Sequence, residues 1–336
     1  MDTAILIDAY SQIFRAFYAI RQLNDPKGRP VNALYVFTRL LLNIEKEYPG
    51  KCGAMLFDCG KVQFRQEIAP DYKANRPPMP EDLKTQMPAI REMAEAFGWR
   101  LLSCEGYEAD DLIGGFARCC PGDVRIISSD KDLSQLVNDR TQLLVPGSKS
   151  GFMIRGTEEV KEKFGVPPAL IADYLALVGD SSDNIPGVPG IGPKSAAAIL
   201  NELGAIESWC GSPEIIEKSK FAKKLSGTEE LLKKNLILVR LRTELPECFS
   251  DWQSQLVRKA PDWQKIAAIC REYAFSAILK ELPAETAKEV PPQEKNMPGD
   301  DGQLDLFSIL ETPVSAPVPE PSGEDSAPEI LQGELF

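Results

Sequence analysis

The chain has 336 residues, 43% of them hydrophobic, which is enough for two domains with sizeable cores. It contains no histidine, and this excludes Ser-His-Asp and Cys-His catalysis, histidine-ligated zinc and histidine as a general base. The formal net charge of −12 is concentrated in residues 281–336, which hold 13 acidic residues and two lysines, whereas residues 1–280 hold 37 acidic and 36 basic residues.

The eight cysteines are scattered along the chain, and none of them forms a C-x-x-C pair, which argues against zinc and redox motifs. We predict that they are reduced and mostly structural thiols. The sequence begins without the basic residues of a signal peptide, and no apolar run approaches the ~20 residues of a membrane span. We therefore expect a soluble cytoplasmic monomer without a membrane partner.

Three short apolar runs in the first half of the chain end in Asp8, Asp58 and Asp130. Short apolar runs separated by helical stretches are typical of buried parallel strands. Ligands of open α/β sheets bind at the carboxyl ends of such strands. We therefore expect these aspartates, with Asp132 shortly after the third, to converge at one edge of one sheet.

A helix is predicted to start near residues 106–111, where Glu108 and Asp111 lie on one side of its first turn, with Asp110 beside them. Acidic residues are common at helix N-termini because they interact favourably with the helix dipole. That effect explains one or two of these residues. It explains less well why they accompany three strand-end aspartates.

Residues 60–95 are mostly polar and basic and include Arg65, Tyr72, Lys73 and Arg76, with a helix predicted from residue 83 to residue 97. A basic stretch with an aromatic residue beside an acidic pocket is typical of a groove for a nucleic-acid strand. A solvated linker followed by a surface helix explains the same residues equally well, so this alternative stays open.

A second helical region is predicted from residue 167 onwards, with a glycine-rich turn between its first two helices. Gly190 and Gly192 would let the backbone approach a ligand closely, and Pro193 suits the first turn of a helix. Free backbone N–H groups there can bind a phosphate, to which Lys194 would add charge. Glycine-rich turns between helices also occur for packing reasons.

The composition changes after about residue 282, where nine of the 27 prolines and many acidic residues occur with few large apolar residues. Such a segment cannot bury a core, and we predict that residues 281–336 form a disordered acidic tail. Apolar residues recur in it as the short groups 303–307 and 332–336. These groups suggest linear binding motifs, with chance or weak docking onto the same chain as the alternative.

The predicted acidic site contains eight carboxylates, with Asp180 as a candidate ninth. So many like charges cannot lie together unpaired, and Mg²⁺ or Mn²⁺ with all-oxygen ligands would neutralise them. Two such ions about 4 Å apart can activate water and stabilise the leaving oxygen in phosphodiester cleavage. The eight residues are Asp8, Asp58, Glu108, Asp110, Asp111, Asp130, Asp132 and Asp183.

The sequence resembles the 5′ nuclease family, which includes flap endonucleases and the N-terminal nuclease domain of bacterial DNA polymerase I. The resemblance covers roughly residues 3–280, and the motifs are highly specific as an ordered set although each is weak alone. They are Ile7-Asp8, Phe57-Asp58, Phe64-Arg65, Tyr72-Lys-Ala-Asn-Arg76, Gly106-Tyr-Glu-Ala-Asp-Asp111, Ser129-Asp-Lys-Asp132, Gly179-Asp-Ser-Ser-Asp-Asn184 and Gly187-Val-Pro-Gly-Ile-Gly-Pro-Lys194.

The resemblance implies a PIN-like α/β catalytic domain at residues 1–165, with a helical arch at about 65–95 and a two-metal site. The ligands that it implies are Asp8, Asp58, Glu108 and Asp110 for the first ion, Asp130, Asp132 and Asp183 for the second, and Asp111 near both. The implied DNA contacts in this domain are Arg65, Tyr72 as a base-stacking partner, and Lys73 and Arg76 at the scissile phosphate. The expected catalytic residues are Asp8, Asp58, Asp130, Lys73 and Arg76.

Residues 166–280 are implied to form a helical DNA-binding domain with a helix–hairpin–helix at about 168–203. Gly190, Gly192 and Lys194 would hold the duplex backbone there, with K⁺ as a candidate ion. Phosphate contacts carry no sequence information, so the specificity would be for DNA structure. The tail residues that resemble the clamp-binding pentapeptide of bacterial proteins are Gln303, Leu304, Leu306 and Phe307, and the segment 332–336 resembles it more loosely.

The leading interpretation is a metal-dependent 5′-3′ exodeoxyribonuclease and flap endonuclease of DNA replication and repair, associated with the nucleoid. Its expected partners are DNA with 5′ flaps, nicks or ends, RNA–DNA primers and the sliding clamp. Two alternatives stay open. A PIN-type ribonuclease is usually a short single domain, and a catalytically inactive scaffold on the clamp would not be expected to keep every carboxylate together with Lys73 and Arg76.

Overall fold

A computed structural model describes residues 3–60, 62–147 and 151–283. Six strands form its central sheet: β1 Ala4–Asp8, β2 Gly53–Leu56, β3 Arg100–Leu102, β4 Val124–Ile127, β5 Thr141–Pro146 and β6 Phe152–Arg155. The strand order is β3-β2-β1-β4-β5-β6, in which only β6 is antiparallel to its neighbour. The three strands predicted to end in aspartates are therefore the adjacent strands β2, β1 and β4.

The sheet separates two hydrophobic cores, and β1 contributes to both. Successive side chains of a strand point to opposite faces, so Leu6 packs into one core while Ile5 and Ile7 pack into the other. Every residue of β1 and β2 is buried. Burial on both faces explains why these strands are continuous apolar runs, and it confirms the parallel strands predicted from the sequence.

Six helices accompany the sheet, and their apolar faces contribute to the two cores. They are α1 Ala9–Ala19, α2 Asn32–Glu47, α3 Gln63–Ile68, α4 Glu81–Ala96, α5 Ala109–Cys119 and α6 Thr157–Phe164. A 3₁₀ turn at Asp132–Leu136 follows β4. Helices α1, α2 and α4 lie on one face of the sheet, and α5 lies on the other.

The remaining elements are helical apart from a two-stranded hairpin, β7 Gly179–Asp180 and β8 Ile185–Pro186. The helices are α7 Ile171–Val178, α8 Pro193–Leu203, α9 Ile206–Trp209, α10 Pro213–Lys218, α11 Ala222–Leu225, α12 Glu229–Val239, α13 Trp252–Gln255, α14 Trp263–Glu272 and α15 Ser276–Glu281, with 3₁₀ turns at Pro168–Leu170 and Glu247–Phe249. The hairpin between α7 and α8 thus has the predicted helix–hairpin–helix order.

A buried asparagine fixes the hairpin against α12. The side-chain amide of Asn235 donates to the carbonyl oxygens of Ala176 at 2.9 Å and Pro186 at 2.7 Å. Helix α7 also packs against the 3₁₀ turn that follows β4. These contacts place the turn of the β7–β8 hairpin beside the carboxyl edge of the sheet.

The last two helices return to the sheet. The ring centroids of Phe97 and Trp263 are 5.9 Å apart, and those of Tyr35 and Phe275 are 5.2 Å apart. Helices α14 and α15 therefore pack on α4 and α2, and not on the hairpin with which the sequence prediction grouped them.

The acidic tail lies outside the described residues from residue 284 onwards, and with it the predicted disorder and the segment 332–336. The same holds for the clamp-motif residues Gln303, Leu304, Leu306 and Phe307. Within the described ranges, no helix combines the length and apolar character needed to cross a membrane.

Gly187 is expected to be intolerant of a side chain because the hairpin backbone is packed against α7. A Cβ at Gly187 would lie 2.1 Å from the carbonyl oxygen of Val178, whereas a Cβ at Gly192 would meet nothing within 4 Å. We predict that Gly187→Ala lowers the free energy of unfolding by about 2 kcal/mol or more and that Gly192→Ala lowers it by at most about 1 kcal/mol. Urea unfolding of both variants checks this, and equal stabilities would contradict the close approach.

Candidate metal centre

Asp8 lies at the junction of β1 and α1, and its carboxylate is held from two sides. Its Oδ1 accepts a 3.1 Å hydrogen bond from the backbone N–H of Ser11, which caps α1, and its Oδ2 accepts one of 2.8 Å from the Ser128 hydroxyl. Because Ser128 follows β4, this contact ties together the ends of two neighbouring strands. The Asp8 side chain therefore has a defined position at the carboxyl edge of the sheet.

Asp58 and Asp110 are brought together by the N-terminus of α5. Asp58 lies two residues beyond β2, and its Oδ1 accepts a 2.7 Å hydrogen bond from the N–H of Ala109. The first turn of a helix has N–H groups without helical partners, and these stabilise a carboxylate. Asp110 belongs to the same turn and lies close enough to Asp8 and Asp130 for their charges to repel.

Burial and mutual repulsion raise the pKa values of several of these carboxyl groups. Burial and the charge of Asp130 raise the pKa of Asp8 to about 7, although the hydrogen bond from Ser128 opposes the shift. Burial and neighbouring carboxylates likewise raise the pKa values of Asp110 and Asp132 well above the usual value of an aspartate. The site therefore disfavours a full set of negative charges unless cations compensate them.

A second group of carboxylates includes two from the β7–β8 hairpin. Asp132, Asp180 and Asp183 each have a carboxylate oxygen within 4.8 Å of the others. Asp180 also accepts a 2.6 Å hydrogen bond from the Ser182 hydroxyl and lies 3.0 Å from the Lys131 ammonium. Although burial acts to raise it, these donors lower the pKa of Asp180. The residue that the sequence suggested only as a ninth carboxylate is thus part of this group.

The chemistry of this cluster fits a hard divalent cation. Asp132, Asp180 and Asp183 offer carboxylate oxygens at a spacing that one ion can bridge. Oxygen ligands of this kind favour Mg²⁺ or Mn²⁺ over softer metals. A bound cation would also relieve the repulsion that raises the carboxyl pKa values, so the electrostatics and the donor set point to the same kind of ligand.

Lys73 and Arg76 reach into the acidic site from the segment between α3 and α4. Lys73 pairs with Glu108 and lies 3.7 Å from Asp183, and Arg76 pairs with Asp183. Although burial acts to lower it, these two carboxylates raise the pKa of Lys73. The Lys73 backbone has a φ of 57° and donates a 3.0 Å hydrogen bond to the carbonyl oxygen of Asp183. Such a conformation is uncommon for a residue with a side chain and marks a backbone fixed by its surroundings.

The side chain of Tyr72 is not placed as the base-stacking partner that the resemblance implied. Its side chain is buried, and its hydroxyl lies 3.2 Å from the Glu108 carboxylate and 3.1 Å from that of Asp183. A buried ring cannot stack on a nucleobase, so in this conformation Tyr72 orients two carboxylates instead. The sequence showed an aromatic residue in a basic segment but carried no signal for its burial.

Arg65 and Asp111 form a buried ion pair, which also departs from the expected positions. Arg65 is 1% exposed, and two of its nitrogens each lie 2.8 Å from the oxygens of the fully buried Asp111. It also donates to Glu108 at 2.5 Å and to the carbonyl oxygen of Leu238 at 3.1 Å. Arg65 is therefore too deeply buried for the predicted DNA contact, and both oxygens of Asp111 are engaged by arginine. A charge removed from water requires such a partner.

The residues expected to hold duplex DNA lie in the exposed glycine-rich turn between β8 and α8 and at the start of α8. Gly190, Gly192 and Lys194 are all exposed, and Gly190 has a φ of 75°, which favours glycine. Helix α8 begins directly after Gly192. Lys224, from the basic run 218–224, donates a 2.7 Å hydrogen bond to the Gly190 carbonyl oxygen. This contact brings further positive charge to the same surface.

Three residues that sequence reasoning missed also shape the site. Ser128 holds Asp8, and its only signal is a polar side chain at the end of an apolar run. Lys131 stands between two of the predicted ligands and pairs with Asp180. The backbone N–H of Arg242 donates to Asp111 at 2.9 Å across 131 sequence positions, so no local pattern could have indicated it.

Comparisons with known proteins match both parts of the chain. The family described as 5′-3′ exonuclease, N-terminal resolvase-like domain, matches residues 3–165, and the one described as 5′-3′ exonuclease, C-terminal SAM fold, matches residues 166–264. The 5′-3′ exonuclease of Aquifex aeolicus is 37% identical over 285 residues, which cover 84% of this chain and 96% of that protein. The thermostable DNA polymerase I of Thermus filiformis is 35% identical over 299 residues, which cover 86% of this chain and 35% of the polymerase. The chain thus spans about a third of the polymerase's length.

Solved structures with the same fold come from two further proteins. A zinc-bound T5 5′-exonuclease has a TM-score of 0.57 and 25% identity, over 83% of this chain and 99% of that chain. The catalytic core of Rad2 in complex with DNA substrate has a TM-score of 0.56 and covers 84% of this chain and 92% of that chain. At 16% identity, the likeness to Rad2 shows the fold alone.

We predict that Arg65→Gln lowers the free energy of unfolding by about 3–5 kcal/mol, because it removes the closest cation of the fully buried Asp111. The control is Arg118→Gln, which breaks an exposed ion pair with Glu244 at 2.6 Å and should cost at most about 1 kcal/mol. Urea unfolding without added metal measures both variants. A loss below about 1 kcal/mol for Arg65→Gln would contradict a structural role for this arginine.

Asp110→Asn removes one of the repelling charges and leaves the side chain nearly isosteric. At about pH 8 it should stabilise the metal-free protein by about 1 kcal/mol and reduce the rise in melting temperature on adding Mg²⁺ or Mn²⁺. Thermal unfolding with a chelator and with metal checks both effects. The exposed Asp139→Asn is the control and should change neither. Destabilisation of Asp110→Asn in the chelator would rule out the inferred repulsion.

Proposed function

Because the chain belongs to the 5′-3′ exonuclease family, we propose that it is a structure-specific 5′ nuclease that hydrolyses DNA phosphodiester bonds at 5′ flaps, nicks and ends. The family match confirms the resemblance found in the sequence, and the parallel-sheet domain with its helical C-terminal domain confirms the predicted fold class. The observation that carries the proposal is the meeting of carboxylates from both matched regions, Asp132 from one and Asp183 from the other.

The activities and bound ligands of the relatives support this proposal. The Aquifex aeolicus relative is a 5′-3′ exonuclease of nearly the same length as the matched region. The T5 5′-exonuclease carries divalent metal ions, and the T5 D15 flap endonuclease has been solved with DNA and metal ions. Transfer of these properties to this chain rests on its own carboxylate site and on the exposed surface of its hairpin.

We infer that Mg²⁺, for which Mn²⁺ can substitute, binds as two ions at the carboxylate edge. When bound, the ions would supply Lewis-acid stabilisation of the phosphate and an activated water. Asp111 is left out of the ligand set because Arg65 engages both of its oxygens. The proposed ligands are Asp8, Asp58, Glu108 and Asp110 for the first ion, and Asp130, Asp132 and Asp183 for the second, with Asp180 beside them.

Lys73 and Arg76 are proposed to hold the scissile phosphate. Their charges are paired with Glu108 and Asp183, and divalent cations would compete for those carboxylates. A phosphate would then be the replacement acceptor for both basic groups, with charge-assisted hydrogen bonds of similar strength. The Arg76 side chain is 46% exposed, so it can turn towards a DNA strand without disrupting the core.

The glycine-rich turn between β8 and α8 is proposed to hold the duplex next to the cleavage site. The first turn of α8 presents backbone N–H groups, to which a phosphate can bind, and Lys194 adds a positive charge. Gly192 leaves open space where a Cβ would stand, so a DNA backbone can approach closely. K⁺ is the ion that we propose for this glycine-rich turn. Contacts of this type read the phosphate backbone, so they select DNA structure over sequence.

A labelled 5′-flap duplex is expected to be cut near the flap junction with Mg²⁺ and to stay intact with a chelator. Asp130→Ala should lower the cleavage rate by roughly 10³-fold because it removes a proposed ligand, while the exposed Asp139→Ala should leave it unchanged. Preferred cleavage of single-stranded RNA would instead identify a ribonuclease. Tight flap binding without cleavage in Mg²⁺ or Mn²⁺ would identify a scaffold, and either result would overturn the proposal.

In replication and repair, such an enzyme would remove RNA–DNA primers and flaps and leave a nick that can be ligated. We propose that a protein partner links this nuclease to DNA synthesis. The tail motif at 303–307 resembles the segment by which bacterial proteins bind the sliding clamp. An acidic, proline-rich tail that presents this motif would tether the nuclease to the clamp.

Replacing Leu306 and Phe307 together by alanine should abolish retention of the protein on an immobilised bacterial sliding clamp. The apolar pair would supply most of the buried surface of so short a motif. Val314→Ala combined with Val318→Ala is the matched control in the same tail and should bind normally. Removal of residues 332–336 tests the looser motif separately. Unchanged retention of the Leu306 and Phe307 variant would refute the tether.

A further inference from the structure

Cys104 and Cys248 face each other at a place that the proposed reaction does not use. Their sulfur atoms are 3.0 Å apart although 144 sequence positions separate them. A disulfide bond is about 2.05 Å long, so bond formation needs a closure of only about 1 Å. Cys248 is exposed and Cys104 is partly exposed, so an oxidant in solution can reach the pair.

The two cysteines belong to segments that already pack together. Cys104 lies in the loop between β3 and α5, and Cys248 lies in the 3₁₀ turn at Glu247–Phe249. We call residues 241–249 the strap, because this segment crosses α5. Its Phe249 packs on Phe116 of α5, with ring centroids 5.2 Å apart.

Other contacts of the strap keep the two sulfur atoms close together, and the cysteines take no part in these contacts. Arg242 donates a 2.6 Å hydrogen bond to the carbonyl oxygen of Gly106, in the same loop as Cys104. A Cβ at Gly114 of α5 would lie 2.9 Å from the carbonyl oxygen of Arg242, and one at Gly115 would lie 2.6 Å from the side chain of Leu245. The glycines of α5 therefore let the strap lie directly against the helix, so the approach of the thiols follows from packing on both sides.

We propose that Cys104 and Cys248 are a reversible oxidation site, which forms a disulfide between the strap and the loop before α5 on contact with a peroxide. The sequence prediction was that the cysteines are reduced and mostly structural thiols, and this pair would be an exception among them. The site lies outside the carboxylate cluster, so the proposal does not depend on the nuclease activity.

The order of the two oxidation steps follows from the exposure of Cys248 and from the protonation of Cys104. Burial and the neighbouring thiol raise the pKa of Cys104 to about 11, which keeps it protonated, whereas Cys248 is open to solvent. Hydrogen peroxide would oxidise the Cys248 thiol to a sulfenic acid and be reduced to water. The Cys104 sulfur then attacks the Cys248 sulfur, the S–O bond breaks, and the released hydroxide leaves as water with the thiol proton. Each disulfide thus consumes one peroxide and two electrons from the thiols.

The disulfide would restrict the unfolded chain far more than the folded one. It closes a loop of 144 positions, and the loss of unfolded-state entropy grows with loop length. The folded protein needs little adjustment because the sulfurs are already in contact. Oxidation should therefore raise the melting temperature, and a thiol reductant should reverse the change.

The test treats the full-length, metal-free protein with hydrogen peroxide under mild conditions. We expect the loss of two free thiols, a peptide containing Cys104 linked to one containing Cys248, and a rise in melting temperature of roughly 5–10 °C that dithiothreitol reverses. Cys248→Ser should abolish the linkage and the rise, and it alters an exposed side chain, so the variant should fold. Cys104→Ser should do the same.

Cys59 is the internal control because it is the third thiol close enough to influence Cys104. Cys59→Ser should keep both the linkage and the thermal shift. A disulfide from Cys59 to either partner would overturn the assignment. So would an unchanged melting temperature of the oxidised protein, or a shift that persists in Cys248→Ser.

Discussion

Repulsion between carboxylates at the carboxyl edge of the sheet is the constraint on which the rest of the site depends. The parallel register brings Asp8, Asp58 and Asp130 to this edge, and burial raises the free energy of the charged forms of Asp8 and Asp130. Hydrogen-bond donors compensate part of this cost, from the Ser128 hydroxyl and from the N-terminus of α5. Basic side chains compensate another part of this cost, and the carboxylate oxygens are suitable ligands for divalent cations. On the proposed function, a divalent cation would replace a basic side chain as the positive partner of these carboxylates.

The exposure of a basic side chain decides whether it can exchange its carboxylate partner for another acceptor. The side chains of Lys73 and Arg76 are 19% and 46% exposed, whereas that of Arg65 is 1% exposed. On the proposed function, the exposed Arg76 and the partly exposed Lys73 would leave their carboxylates for a phosphate, because water and DNA can solvate the change. Arg65 cannot leave Asp111, since either charge alone in the interior would cost several kcal/mol. The basic residues would thus exchange their partners in one place on the proposed function, whereas Arg65 links α3, α5 and the end of α12 in another.

Features with a local pattern could be predicted from the sequence, and features that depend on a distant partner could not. The strands β1, β2 and β4 can be recognised as apolar runs that end in aspartates. The start of α5 can be recognised by its acidic first turn. The glycine-rich hairpin is recognisable for the same reason. By contrast, Arg65 meets Asp111 across 46 positions, so its basic character suggested a DNA contact although its environment makes it a core residue. Tyr72 and helices α14 and α15 follow the same rule, because tertiary packing decided their surroundings.

If the proposed function holds, the turn of the β7–β8 hairpin would couple the recognition of DNA structure to catalysis. Asp183 in this turn lies beside Asp132, while its carbonyl oxygen accepts from the Lys73 N–H and the neighbouring Asn184 donates to the Asp71 carbonyl oxygen at 2.9 Å. Asn235 fixes the base of the same hairpin to α12. The exposed N-terminus of α8 follows the hairpin after a few residues. A duplex held by that helix would thus be held at a short, rigid connection from a proposed metal ligand and from the two basic residues. Substrates whose duplex cannot reach this surface would leave the scissile phosphate out of register, and selection for branched DNA would follow without any contact to the bases.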